Sequence, residues 1–306
     1  RKSAGSGQSD LQLNVRNAAS NSLLRSESGV LNLSVSFIQT NGLTQLAGGH
    51  FAGLLFDIKG GTISGAGNIA ANVLNNGTVL PGGGVGRLTI SNNVAQTFTA
   101  LGGSVVSFDI GGLNPSTGHD QIRVNNGTAT LTGTLRAPLA NGYIPTPGNT
   151  YTVMTFTARS GVFTNYDFPD YLFGVVHTAT NVILIASNAL PTVTLSAPAT
   201  QLVCNAAQLL STVNDLDGSV TNLSFYLNAS NLVANIANPP NGSTHKVLVS
   251  YDYPSTVAFS AIAKDNSGNA RTAAVNTVFY ALTLHTLNLG GVRTNGNMPA
   301  ASTTEI

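Results

Sequence analysis

Apolar side chains recur with a period of two along most of this 306-residue chain. Leu223, Phe225 and Leu227 alternate with polar neighbours. So do Val247, Val249 and Tyr251, and then Val257, Phe259, Ala261 and Ala263. Residues 88–90, 105–110, 122–124, 129–135, 151–156, 175–176 and 182–185 form further short apolar or alternating runs. Successive side chains of a strand point to opposite faces, so this pattern predicts many short strands. A 3.6-residue period is almost absent, and the expected class is all-β. Turn formers separate the runs, as at Leu80-Pro81-Gly82, Pro145-Thr146-Pro147, Asp215-Leu216-Asp217-Gly218 and Asp265-Asn266-Ser267-Gly268.

The first half carries an internal repeat. Gln39-Thr40 matches Gln96-Thr97, and the run from Phe56 to Gly60 (FDIKG) matches that from Phe108 to Gly112 (FDIGG). The spacing drifts between the two matches, as expected of a β-solenoid whose turns absorb insertions while its strands stack. The later runs are longer and richer in aromatic residues, and are expected to cap the last open edge. From Asn188 the pattern changes to alternating strands over about 95 residues, the signature of an immunoglobulin-like sandwich. The predicted organisation is a solenoid over 1–187, a sandwich over 188–282, and a tail, linker or donated strand over 283–306.

Composition narrows the function classes. Charged residues make up 8% of the chain, while Asn and Gly each occur 33 times, so amides and hydroxyls must form the surface. A net charge of +1 without a basic run gives no electrostatic footprint for nucleic acid. Thr, Ser, Asn and Gln interrupt the apolar runs, so no membrane span is expected. Cys204 is the single cysteine, which excludes an intrachain disulfide and a cysteine-based zinc site. The opening RKSAGSGQSD lacks an apolar core and reads as a processed or excised end of a longer chain.

Four sets of residues invite a chemical reading. Gly65, Gly67 and Ala70 imitate a dinucleotide-binding fingerprint, but no Asp or Glu lies between Asp57 and Asp109 and no helix-forming run follows. They are read as solenoid corners, with no cofactor. Asp57 and Asp109 sit at matched repeat positions and are read as turn caps rather than a catalytic pair. Asp215, Asp217 and Asp265 are where a calcium ion would be held, although DLDG and DNSG are also ordinary turns, and the turn reading is preferred. His50, His119, His177, His245 and His285 are dispersed, without metal-ligand spacing. No catalytic residue is assigned. Alternating leucines mark both ends: Leu11, Leu13 and Val15, then Leu282, Leu284, Leu287 and Leu289. These are the candidates for strand exchange or assembly.

Two resemblances follow from the motifs. The series GGTISGAGNI, LNNGTVLPGGGVGRLTI, QTFTALGGSVVSFDIGG, HDQIRVNNGTATLTGTLRAPL and YIPTPGNTYTVMTF resembles the passenger solenoids of bacterial surface proteins with autotransporter-associated β-strand repeats, over roughly residues 30–187. That family's solenoids are right-handed parallel β-helices. PTVTLSAPA, NDLDGSVTNLSFYLN and TVAFSAIAKDNSGNA are similar to bacterial immunoglobulin-like modules, with a departure at HKVLVSYDY. Neither resemblance implies catalysis, and both imply an extracellular or cell-surface scaffold or adhesive role. The leading expectation is a non-enzymatic structural protein that self-associates into a homopolymer, a filament or sheath. The alternatives are an adhesin module holding cell-surface polysaccharide, with Tyr143, Tyr166, Tyr171 and Tyr253 as sugar-stacking candidates, and a β-helix polysaccharide-degrading enzyme, which needs two acids converging in a groove.

Overall fold

The computed structural model describes residues 1–282. All regular structure among them is β-strand. Two compact units form, Arg1–Leu190 and a second beginning at Pro191.

In the first unit each turn of chain lays down three short strands, and each strand pairs in parallel with its counterpart one turn later. The first turn is β1 (Gln8–Leu11), β2 (Asn14–Asn17) and β3 (Leu23–Ser26), and the second is β4 (Val30–Leu33), β5 (Ser36–Gln39) and β6 (Leu43–Ala47). β7 (His50–Ile58) is longer because it runs through one corner, and β8 (Thr62–Asn75) because it runs through two and contributes to all three ladders. β9 (Thr78–Pro81) completes the fourth turn. Then come β10 (Arg87–Ile90), β11 (Thr97–Ala100) and β12 (Val105–Ser107), followed by β13 (Gln121–Val124), β14 (Thr128–Leu131) and β15 (Thr134–Arg136). β16 (Thr150–Thr155), β17 (Ala158–Gly161) and β18 (Asn165–Asp167) make the last turn. The first ladder runs β1-β4-β7-β8-β10-β13-β16. The second runs β2-β5-β7-β8-β11-β14-β17. The third runs β3-β6-β8-β9-β12-β15-β18.

Register explains the core. Leu31, Phe51, Ile69, Ile90 and Val124 are level with one another up the first ladder. Phe37, Phe56, Val73, Phe98 and Ala129 form the matching column of the second. Ile63, Val79, Val106 and Leu135 do so in the third. All are buried in one core. Each such column stacks like on like, and burial of each large side chain contributes about 1.5–3 kcal/mol. Where a polar residue enters a column it is bonded. Buried Gln39 receives a hydrogen bond from Thr44 Oγ1 at 2.6 Å and donates to the carbonyl of Thr62 at 3.0 Å. Asn17 donates to the carbonyl of Leu43 at 3.1 Å. A buried amide is tolerated once its donors and acceptors are satisfied.

At the far end β19 (Tyr171–His177) and β20 (Asn181–Ala189) form an antiparallel pair, and β20 also pairs antiparallel with β16. Arg159 of β17 donates to the carbonyls of Thr178, at 2.6 Å, and His177, at 2.8 Å. The expected aromatic-rich closure of this edge is therefore built from a reversed hairpin plus one guanidinium.

The second unit packs two sheets on one core. β21 (Thr192–Val193), β23 (Ala207–Asn214) and β26 (Thr244–Val249) form one sheet. β22 (Thr200–Leu202), β28 (Ala270–Tyr280), β27 (Ser255–Asp265), β24 (Val220–Leu227) and β25 (Asn231–Ala237) form the other. Leu209 and Val213 face Leu223, Phe225, Phe259 and Phe279 in the interior. The unit is a β-sandwich, and the alternation read at 223–227 and 257–263 is its inward face.

The internal repeat is real in chemistry but wrong in register. Phe56 lies in the second ladder, level with Phe37 and Val73, whereas Phe108 follows β12 in the third, its N–H bonded to the carbonyl of Arg136. Gln39 is level with Ile58, Asn75 and Ala100, so Gln96, just before β11, is not its counterpart. Turn length varies from 16 residues (Thr62 to Thr78) through 22 (Gln8 to Val30) to 34 (Arg87 to Gln121). A fixed offset cannot follow such turns; the matched words are similar strand ends in different ladders.

Candidate functional site

The assembly candidates divide into two environments. Leu11 ends β1 and Val15 lies in β2, and both pack against the core. Leu13 stands at the corner between these strands, 53% exposed. The alternation therefore spans a corner instead of one strand, which turns Leu13 away from its neighbours. The corner is apolar in later turns as well. Val35, between β4 and β5, is 49% exposed, and Leu54, within β7 where it leaves the first ladder, is 72% exposed. Val94, between β10 and β11, lies at the same corner and is also exposed. An uncharged stripe thus follows the corner between the first and second ladders.

The first turn adds a second feature. β1 pairs with β4 and β2 with β5, and their outer edges meet no other strand among the described residues. Lys2 overlies part of β3, its N–H bonding the carbonyl of Arg25 at 3.0 Å. Between them lies an open cavity of about 410 Å³ whose lining includes Lys2, Leu11, Leu24 and Leu31. Free edge hydrogen-bonding groups beside an apolar interior form a template for one more strand layer. Leu282 lies beyond β28 and is exposed; Leu284, Leu287 and Leu289 fall outside the described residues.

The acids do not behave as one set. Asp57 pairs with Lys59 at 3.6 Å. Asp109 lies beside Asp120 instead: the Asp109 N–H donates to Asp120 Oδ2 at 3.0 Å, and the Gly86 N–H donates to Asp120 Oδ1 at 2.7 Å. Asp120 is buried and staples the turn before β10 to the long connection between β12 and β13. Its two oxygens are engaged by backbone, so the arrangement is structural in chemistry. Burial raises its pKa to about 8, outweighing the two N–H donors that lower it, and burial also raises that of Asp109. A raised carboxyl pKa means that stability is lost as pH rises toward the folded-state value. His119, whose pKa burial lowers from 6.5, acts in the opposite sense at lower pH. The first unit is therefore expected to melt at progressively lower temperature from pH 6.5 to about 8, and Asp120→Asn should flatten that slope. Thermal melts across this window check it; a flat wild-type profile would refute the assignment.

The tyrosines form no common platform. Tyr171 is buried, and the Tyr143 hydroxyl lies 3.1 Å from that of Tyr151. Tyr166 is 47% exposed and stacks on Phe168, and Tyr253 belongs to the second unit. Gly65 and Gly67 lie inside β8 where it passes from the third ladder to the first, Gly65 at positive φ, and a strand rather than a helix follows.

Asp215 and Asp217, on the connection after β23, and Asp265, the last residue of β27, meet at one end of the sandwich. Asp265 is a turn staple: its Oδ1 accepts the N–H groups of Ser267 and Asn269, each at 2.8 Å. Asp215 is buried, and apart from its neighbour Asp217 no group gives its carboxylate a hydrogen bond. The burial of this carboxylate was not legible from its turn sequence. Among the described residues no three His, Cys, Asp or Glu side chains are already arranged around a metal position.

No protein-family model matches the chain, and no curated protein is significantly similar. Several solved structures resemble part of it. The CARDB domain of a Pyrococcus furiosus protein has 16% identity and a TM-score of 0.26, over 29% of this chain and 87% of its own. The PKD domain of an M14-like peptidase from a Thermoplasmatales archaeon has 14% identity and a TM-score of 0.27, over 29% and 92%. Superoxide reductase from Ignicoccus hospitalis has 13% identity and a TM-score of 0.25, over 30% and 80%. At such values these likenesses carry no argument about function.

Proposed function

We propose that the chain is a non-enzymatic structural module of the extracellular space or cell surface, a parallel β-helix followed by an immunoglobulin-like β-sandwich, which associates with further copies of itself. The observation that supports this most is the first turn: open outer edges on β1 and β2 beside a cavity whose floor includes Leu11, Leu24 and Leu31 and whose rim carries Arg1, Lys2 and Ser9. One more parallel strand layer satisfies those edge groups and closes the cavity together. The stripe of Leu13, Val35 and Leu54 offers a second, lateral contact, and its lack of charge removes repulsion between identical surfaces.

Sedimentation velocity over a wide concentration range tests this. Reversible association is expected, and Leu54→Asp should weaken its lateral part by about tenfold or more, since a buried unpaired charge is costly at an interface. The melting temperature should be unchanged, because Leu54 is 72% exposed. A monomer at every concentration would exclude the reading. Polysaccharide binding is the second reading, favoured by exposed Tyr166 stacked on half-buried Phe168, their ring centroids 5.9 Å apart. Retention on a polysaccharide affinity matrix that is lost in Tyr166→Ala would support it.

A further inference from the structure

The acidic end of the sandwich contains an electrostatic problem that its own side chains do not solve. Asp215 is only 4% exposed, and apart from its neighbour Asp217 no group gives its carboxylate oxygens a hydrogen bond. An uncompensated buried carboxylate is costly, and structures normally pair it, protonate it or give it a cation. Its backbone is firmly held: the Asp215 N–H donates to Asn241 Oδ1 at 3.2 Å, and Asn241 Nδ2 donates to the carbonyls of Asp215 and Gly218, each at 2.9 Å. The carboxylate therefore does not leave the site by simple fraying of the loop.

Other oxygens converge on the same place. A Cβ at Gly218 would lie within 3.0 Å of both Asp215 Oδ2 and Asn266 Oδ1, so the absence of a side chain at 218 lets these two oxygens approach one another. The Asp217 carboxyl is close enough to Asp215 to act on it electrostatically, as is Asp265. Asn266 Oδ1 already accepts the Ser219 N–H at 3.1 Å and keeps a second lone pair. Asp265 is excluded as a direct ligand because Ser267 and Asn269 N–H groups occupy its Oδ1 and Asn269 Nδ2 lies 3.3 Å from its Oδ2. It instead holds the 265–269 turn that presents Asn266.

We propose that this loop cluster binds a hard divalent cation, Ca²⁺, through the carboxylate of Asp215, the carboxylate of Asp217 and the amide oxygen of Asn266, with water completing the shell. Carboxylate and amide oxygens without sulfur or imidazole are the donor set of Ca²⁺, which accepts irregular geometry and several ligands. The ion neutralises Asp215 and ties the connection after β23 to the one after β27.

The test uses the whole chain, freed of metal with a chelator and titrated with CaCl₂ near neutral pH. Calorimetry should show saturable binding with a Kd of about 10⁻⁴–10⁻³ M, the range of extracellular modules. One melting transition should rise by roughly 5 °C at about ten times Kd. Asp217→Asn should weaken binding about tenfold, with the calcium-induced shift read against that variant's own metal-free melt, and Asp215→Asn should abolish it. Asp57→Asn in the first unit should leave it untouched. No heat and no melting shift in the wild-type chain at about 10 mM Ca²⁺ overturns the proposal. So does binding that Asp217→Asn and Asp215→Asn leave unchanged.

Discussion

Gly65→Ala is expected to lower the stability of the first unit by at least about 3 kcal/mol, and to abolish folding if the unit is marginal. Gly65 lies in β8 at φ +104°, a conformation L side chains rarely adopt, and the strain of a non-glycine residue there costs roughly 1–3 kcal/mol. A Cβ at this position would also lie within 3.0 Å of the carbonyl oxygen, carbonyl carbon and amide nitrogen of Leu46. Those atoms belong to the neighbouring turn, and Leu46 and Gly65 are level in the third ladder. The obstacle is backbone held on both sides, with Pro81 level on the other, so it cannot rotate aside as a side chain would. Gly84→Ala isolates the steric part: Gly84 also has positive φ, at +126°, but a Cβ there meets nothing within 4 Å. Urea unfolding of both variants should place the Gly65→Ala midpoint well below that of Gly84→Ala. Equal midpoints would mean that the turns separate freely at this corner.

Phe56→Ala is the second large effect, at about 3–5 kcal/mol. Phe56 is fully buried in the second ladder, between Phe37 and Val73, with its ring centroid 4.7 Å from that of Phe37 and 5.8 Å from that of Phe51. Truncation removes two aromatic contacts, each adding about 0.5–1.5 kcal/mol beyond area burial, and leaves a void that flanking strands fixed in register cannot fill. Because each turn is stabilised chiefly by its neighbours, the loss should also weaken coupling between the turns on either side. Hydrogen exchange is the discriminating measurement: amides of β1 to β6 should lose protection before those of β10 to β16. Uniform loss across the unit would show that it opens all at once. Phe56→Leu, which refills most of the volume, should cost less than half as much.

The sequence pattern predicted strands and corners well because both depend on nearest neighbours. Alternation at 223–227 and 257–263 reports directly which side chains face the sandwich core, and Gly65 and Gly67 mark a corner because only local conformation is at stake. What depends on the third dimension was lost. Leu11, Leu13 and Val15 read as one face, since a corner of ordinary residues between β1 and β2 leaves no trace in the alternation. Phe56 and Phe108 read as equivalent, since the number of residues per turn is set by corners whose lengths do not show as periodicity. Asp215 and Asp265 both sit in ordinary turn sequences. Only packing separates them: Asp265 is bonded to the N–H groups of Ser267 and Asn269, whereas Asp215 is buried with no partner beyond its neighbour Asp217.

The unequal turns of the first unit have a geometric consequence. A turn of 16 residues and a turn of 34 both advance the stack by one strand separation, about 4.8 Å. Residues inserted at a corner therefore widen the cross-section and decorate its perimeter without lengthening the axis. Axial reach changes only in whole steps, by gaining or losing a complete set of three strands. The perimeter can diversify freely while the distance between the two ends of the stack stays fixed, as graduations stay fixed on a ruler whatever is hung from its edge.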